Sequence, residues 1–277
     1  MEAYMLMEDL RRMEQEFQVA IKNREFHVWY QPQLDMRTGK HCGAEALVRW
    51  QREDGRWMQP AVFVPLLEHL GLMAVLDEEV LRNVCRDISQ TRKQGIDLGP
   101  VSVNLSRLQA GRRGIAEKLK KIIDEYHVTR KELLFEITET ADGGEHGLPG
   151  FVEQLREHGF QIAMDDFGIG NSSLKVLQDI RFDILKLDRY FVKRIGDPKA
   201  EIILASTIAM AEDLGLEVVA EGVEKEEQIH FLLDHRCHLA QGYYYSRPLP
   251  REQYIRWQQA QDLRGAETVF PERKLPL

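Results

Sequence analysis

The chain has 277 residues, 43% hydrophobic and 30% charged, enough apolar material to bury one large core and too much for a disordered segment. Its formal charge of −8 argues against broad electrostatic attraction to nucleic acid or an anionic membrane, so an anionic ligand must be met by a few placed cations or by metal. Cys42, Cys85 and Cys237 lack disulfide or metal-finger spacing, no run approaches the roughly 18 apolar residues of a membrane span, and the N-terminus does not read as a signal peptide; together these predict a cytoplasmic protein with no membrane insertion and no nucleic-acid partner.

In chain order, Leu6, Leu10, Met13, Phe17 and Ile21 recur at spacings of three and four, predicting an amphipathic helix over residues 5–23. It can be a linker from a further domain or an element packed on the core. The next segment, FHVWYQPQLDMRTGKHCGAEALVRW, reads as a hairpin turning near Thr38 and Gly39. That register sets Gln31 opposite Glu45 and puts Glu45, Leu47 and Arg49 on one face.

Strands and helices then alternate. Helices are predicted over 61–70 and 77–93, then a strand at 101–106 and a helix bearing Ile115, Leu119, Ile122 and Tyr126. Strands at 133–139, 161–166, 183–188, 217–224 and 239–246 come next, with intervening helices, one of them opening on Asp197-Pro198 and ending before Gly215. A last helix covers 251–260, and residues 265–277 read as a loose end.

Eight strands, the last seven separated by helices, predict an α/β fold: a modified TIM (β/α)8 barrel. Only 14 positions separate Gln31 from Glu45, too few for a crossover helix, so the first strand should run antiparallel to the rest. The domain reading is 1–24 N-terminal amphipathic helix, 25–260 barrel and 261–277 C-terminal tail.

Strands buried on both sides should be nearly continuous apolar runs. Here seven of the eight carry a large polar group near the end instead: Glu45, Asn104, Glu136, Asp165 with Asp166, Lys186, Glu221 and Gln241. A single strand-end carboxylate is more simply a helix cap or an ion-pair partner. Seven strands doing so in step point to an active site at the carboxyl ends of the barrel strands.

So many acids in one mouth repel or take up protons unless a cation joins them. Glu45, Asn104, Glu136 and Asp165 form an all-oxygen set suited to Mg²⁺ or Mn²⁺ and ill suited to zinc. Adjacent Asp165 and Asp166 can enter one site only if the strand ends or bulges there. The second carboxylate can then help hold a second ion, as in two-metal attack on a phosphodiester. Lys186 can orient or deprotonate a water, or simply pair with Asp165 or Glu221, while Arg49 grips a phosphate oxygen.

Three further readings stand beside this one. His235, Cys237 and His238 lie close in sequence but nothing completes a four-ligand metal set. Tyr243, Tyr244 and Tyr245 read as barrel wall, with one ring able to stack a base at the mouth. A Schiff-base aldolase using Lys186 needs a neutral amine, which a carboxylate ring opposes.

YQP (30–32), EALVRW (45–50), SVNLS (102–106), EITE (136–139), DDFG (165–168), KLD (186–188), AEGVE (220–224) and QGYYYSRPLP (241–250) together resemble the EAL-domain family of bacterial cyclic di-GMP phosphodiesterases, in order from about residue 25 to 258. The resemblance implies a barrel with an antiparallel first strand and Mg²⁺- or Mn²⁺-dependent hydrolysis of cyclic di-GMP to linear pGpG, with two ions. It implies Glu45, Asn104, Glu136 and Asp165 as first-metal ligands and Asp166 as a second-metal ligand. It implies Lys186 as the water-activating lysine, Glu221 and Glu45 as catalytic carboxylates, Gln31, Arg49 and Gln241 at substrate-binding positions, and Glu139 as support for the loop after DDFG. The partners it suggests are a second copy of the chain and a fused or separate sensor or GGDEF domain. The chain departs from the family at Ile169, usually a small residue, and Asn171, usually aromatic. That departure leaves an alternative, a cyclic di-GMP receptor that is catalytically weak or inactive.

Overall fold

The computed structural model describes residues 2–138, 147–169 and 173–264. Helix α1 (Glu2–Asn23) leads into the hairpin of β1 (Phe26–Asp35) and β2 (Lys40–Gln51), whose register sets Gln31 opposite Glu45. After the short β3 (Trp57–Met58) and helices α2 (Pro60–His69) and α3 (Met73–Lys93), strands and helices alternate. They are β4 (Val101–Leu105), α4 (Ile115–Glu125), β5 (Leu133–Thr138), α5 (Leu148–Glu157), β6 (Gln161–Phe167), α6 (Ser173–Asp179), β7 (Ile184–Leu187), α7 (Arg189–Val192), α8 (Pro198–Asp213), β8 (Glu217–Ala220), α9 (Glu226–Asp234), β9 (Leu239–Gln241), β10 (Leu249–Pro250) and α10 (Arg251–Arg264).

Eight strands close a ring in the order β1, β2, β4, β5, β6, β7, β8, β9 and back to β1. β1 is antiparallel to both of its ring neighbours, and every other neighbouring pair around the ring is parallel. The hairpin forces this: its four-residue turn can only reverse the chain.

The two faces of the strands give two cores. Outside, strand residues such as Val103, Phe135, Ile162 and Leu185 pack under the helices. Inside, Leu134, Ala163, Ile184 and Val219 form a separate apolar layer with Leu239 against it. This inner layer is the floor on which the functional residues stand.

Helix boundaries obey local chemistry. Asp197 caps α8 by accepting from Lys199 N at 3.0 Å, Pro198 fills the first helical position, and Gly215 stands past the helix end with φ 73°. The last barrel strand differs from expectation, covering 239–241 rather than 239–246. A Cβ at Gly242 would sit 2.1 Å from Val223 O, so the bare backbone turns across Val223 and the strand ends. Tyr243 and Tyr244, 53% and 42% exposed, therefore lie beyond the barrel wall instead of forming it.

Helix α1 belongs to the barrel's packing. Met13, Phe17 and Ala20 are buried in the main core, the Phe17 ring lies 5.5 Å from that of Phe26, and Phe26 in turn meets Trp50 and Phe63. Replacing Phe17 with Ala removes a wholly buried ring and leaves a cavity. We expect Phe17→Ala to lose about 3–5 kcal/mol of unfolding free energy in urea melts; an unchanged midpoint would mean that α1 is not part of the folded core.

Asp77 lies on the buried face of α3. Its Oδ2 accepts from Ser106 N at 2.9 Å and from Gln109 Nε2 at 2.5 Å, tying down the turn after β4. Burial pushes its pKa from 3.8 up to about 7, against those two hydrogen bonds. The stability that Asp77 contributes is thus full below its unfolded value and lost as pH rises through about 7. The loss is on the order of 4 kcal/mol. Asp77→Asn keeps an acceptor for Ser106 and removes the titration. The fall in stability between about pH 5 and about pH 8 should therefore shrink by a few kcal/mol in the variant, as urea melts at both pH values would show.

Candidate functional site

The polar groups predicted at the strand ends form a second inner layer. On a strand, residues two apart share a face. Glu136, Asp165, Lys186, Glu221 and Gln241 each stand two positions beyond Leu134, Ala163, Ile184, Val219 and Leu239, directly above the floor. β4 adds Asn104 beside Glu136 in register, and β2 adds Glu45. Residues from seven strands thereby meet at the carboxyl-end mouth.

At the centre is Lys186, 1% exposed. Its Nζ lies 2.6 Å from Glu221 Oε1, 2.7 Å from Glu136 Oε2, 3.1 Å from Asp165 Oδ1 and 3.6 Å from Glu45 Oε2. Glu45 is braced further by Asn104 Nδ2, donating to Oε1 at 3.1 Å, and by Gln241 Nε2, donating to Oε2 at 2.5 Å. The ion-pair reading of Lys186 thus holds, with more partners than the two expected.

Burial would push the Lys186 pKa down, but Asp165, Glu136, Glu221 and Glu45 overrule it and hold the amine charged, well above its usual range. So held, it is a cation and a donor that can orient a water, and it opposes a Schiff base, which needs a neutral amine. The acids divide. Burial raises Glu45, but Lys186 and the hydrogen bonds from Gln241 and Asn104 together hold it below its ordinary range. Burial, only partly offset by Lys186, drives Glu136 well up and Glu221 to about 8.

Asp166 answers the steric difficulty of two adjacent aspartates. The β6–β7 register shifts between Met164 and Phe167, and Asp166 takes φ 55°, a left-handed conformation that Asp tolerates. The bulge keeps Asp166 in the field of Asp165 and Asp188, and burial with those charges raises it to about 6.

The donor set fits a hard divalent cation. Four carboxylates face one ammonium, and the buried oxygen Glu136 Oε1 makes no hydrogen bond. Even so, among the described residues no group of three or more His, Cys, Asp or Glu is arranged to hold a metal, because these acids converge on Lys186. His235, Cys237 and His238 do not form such a group either: the Cys237 thiol points to Val218 O and Leu239 O, while His235 stacks on Phe231.

The remaining predicted residues lie at the rim. Gln31 Nε2 donates to Ser246 O at 3.4 Å, and Arg49 lies over the Trp29 ring at 5.4 Å with Nη1 donating to Val48 O. Tyr243 packs under the Arg247 guanidinium at 4.4 Å. Glu139 and Asn171 fall outside the described residues; Ile169 is 51% exposed. Sequence reasoning missed Asp77, which with Leu47, Val48, Val64, Glu68 and Asn104 lines a cavity of about 210 Å³ beside the mouth. The signal was a lone acid in the apolar stripe of Leu76, Val80, Leu81 and Val84.

A family model for the EAL domain matches residues 14–248. Over 258 residues the chain is 36% identical to the probable cyclic di-GMP phosphodiesterase PdeB of Escherichia coli K12, covering 92% of this chain and 49% of PdeB. Over 242 residues it is 36% identical to the cyclic di-GMP phosphodiesterase NbdA of Pseudomonas aeruginosa, covering 86% of this chain and 31% of NbdA. The chain thus spans half or less of the length of these relatives. Among solved structures, the PaMucR phosphodiesterase in complex with c-di-GMP matches with a TM-score of 0.80 at 32% identity, over 87% of this chain and 99% of that one. With so much of the barrel matched, the chain belongs to the EAL domain family.

Proposed function

We propose that this chain is a metal-dependent phosphodiesterase that opens cyclic di-GMP to linear pGpG in bacterial second-messenger signalling. The observation that carries this reading is the buried Lys186 ammonium ringed by Glu45, Glu136, Asp165 and Glu221 at the barrel mouth. Excess negative charge of this kind calls for a further cation. Glu45, Asn104, Glu136 and Asp165 would hold one Mg²⁺ or Mn²⁺ and Asp166 would help hold a second. Such ions supply Lewis-acid stabilisation of a phosphoryl oxygen and a more acidic water.

The chain's own residues do the rest. Lys186 presents a fixed positive donor to charge developing on the phosphoryl group, on a floor that excludes water. Glu221, raised to about 8, can hold and return a proton at a carboxylate oxygen near neutral pH. Gln31, Gln241 and Arg49 orient the dinucleotide, Arg49 through a guanidinium fork suited to phosphate. The cavity beside Asn104 offers apolar walls and the acceptors of Glu68 and Asp77, which suit the N–H donors on a guanine edge.

The purified chain with Mn²⁺ or Mg²⁺ should convert cyclic di-GMP to the linear dinucleotide, read by chromatography. Lys186→Met and Glu45→Ala should each lower kcat by about 10²-fold or more. Tight binding with no product from a folded, metal-loaded sample would reject hydrolysis and assign the receptor role instead.

The reading places the protein in the cytoplasm, with α1 as the link to a fused or separate sensor or GGDEF domain. Among the described residues no helix is long and apolar enough to cross a membrane. A homodimer is supported by the outer face of α8, where Ile202 and Ile203 are 69% and 46% exposed. Light scattering should find a dimer in the native chain and a monomer when Ile202 and Ile203 are both changed to Glu; an unchanged dimer would place the interface elsewhere.

A further inference from the structure

Gln33 stands two residues beyond Gln31 on β1, on the same inward face. It faces Gln241 across the β1–β9 pair and Gly43 across the β1–β2 pair. Gln33 Nε2 donates to Gln241 Oε1 at 3.0 Å. Gln241 Nε2 in turn donates to Glu45 Oε2 at 2.5 Å and reaches Glu221 Oε1 at 3.4 Å. Gly43 makes the room: a Cβ there would stand 3.3 Å from Gln33 Oε1 and 2.8 Å from Pro100 O.

A primary amide has a donating end and an accepting end. Ionised Glu45 only accepts, so Gln241 must turn its NH₂ toward it. Its oxygen is then directed the other way and needs a donor, which Gln33 supplies. The result is a relay of fixed polarity from Gln33 through Gln241 to Glu45.

We infer that Gln33 is a positioning residue: by donating to Gln241 Oε1 it locks the Gln241 amide with its NH₂ toward Glu45 and Glu221, and so fixes two of the carboxylates around Lys186. Gln33 itself touches none of the reacting groups. This inference rests on the phosphodiesterase reading of the site, which it deepens by one layer.

Two substitutions of similar size separate the donor from mere packing. Gln33→Met fills the space without a donor, and Gln33→Glu replaces the donor with an acceptor. Gln33→Met should lower kcat about tenfold with KM within about twofold, the size expected for a supporting hydrogen bond behind a ligand. Gln33→Glu should lose up to about 100-fold at alkaline pH and regain activity relative to the native chain as pH falls, because a protonated Glu can donate to Gln241 Oε1. Gln33→Met should show no such recovery. Equal, pH-independent losses in both variants would overturn the inference.

A second arm reads the same contact without activity. In protein labelled with ¹⁵N-glutamine, the Gln241 side-chain amide signal, assigned by its loss in Gln241→Glu, should move in both Gln33 variants while the circular dichroism stays native. An unmoved signal overturns the role of Gln33. Should the native chain prove inactive on cyclic di-GMP, the phosphodiesterase reading falls and this arm alone decides the Gln33–Gln241 contact.

Discussion

The site is organised by one buried positive charge. Lys186 is 1% exposed and could not stay ionised on an apolar floor by itself, since burying an unpaired ion costs several kcal/mol. Four carboxylates reverse that balance, each within 3.6 Å of Nζ. A pair of opposite charges at about 4 Å is worth on the order of 4 kcal/mol near a protein surface. The same arithmetic makes the acids repel one another. One ammonium cannot satisfy four carboxylates: burial first, and the neighbouring acids after it, raise the proton affinities of Glu136 and Glu221 while that of Glu45 falls. The cluster is therefore built to take up positive charge, whether as protons or as a cation.

The barrel supplies that cluster through strand periodicity alone. An apolar residue on the inner face is succeeded two residues later by another inner residue. Leu134, Ala163, Ile184, Val219 and Leu239 fill the cylinder, so the next inner positions, Glu136, Asp165, Lys186, Glu221 and Gln241, have no choice but to gather at the mouth. Among these five strands β6 carries a register shift. Its bulge falls at Asp166, the carboxylate that follows Asp165.

Much of this was legible because it depends on period and spacing. The hairpin turn set Gln31 opposite Glu45, and the polar strand ends named Lys186 and the six residues that meet at it or brace its partners. The features that escaped depend on distant partners or on space. Met13 and Phe17 give the same amphipathic stripe whether a helix is a free linker or part of a core, so only the contact with Phe26 decides. Tyr243 looks like strand until the clash that a side chain at Gly242 would make with Val223 is known. Gln33 and Asp77 show their purpose only beside Gln241 and Ser106, 208 and 29 residues away. His235, Cys237 and His238 were adjacent in sequence, yet adjacency in a turn does not aim side chains at one point.

The reversed first strand also decides where α1 meets the barrel. In an all-parallel barrel each strand enters at the floor and leaves at the mouth. β1 runs the other way, so it begins at the mouth: Phe26 pairs with Trp50 at the far end of β2, past Glu45 and Arg49. Helix α1 ends three residues before that point. It packs through Phe17 on Phe26, and Glu25 accepts from Trp50 Nε1 at 2.9 Å, while Glu16 pairs with Arg52. The helix is thus seated on the two strands that carry Gln31, Gln33, Glu45 and Arg49. A parallel first strand would have put the same helix at the opposite end of the barrel, away from those side chains.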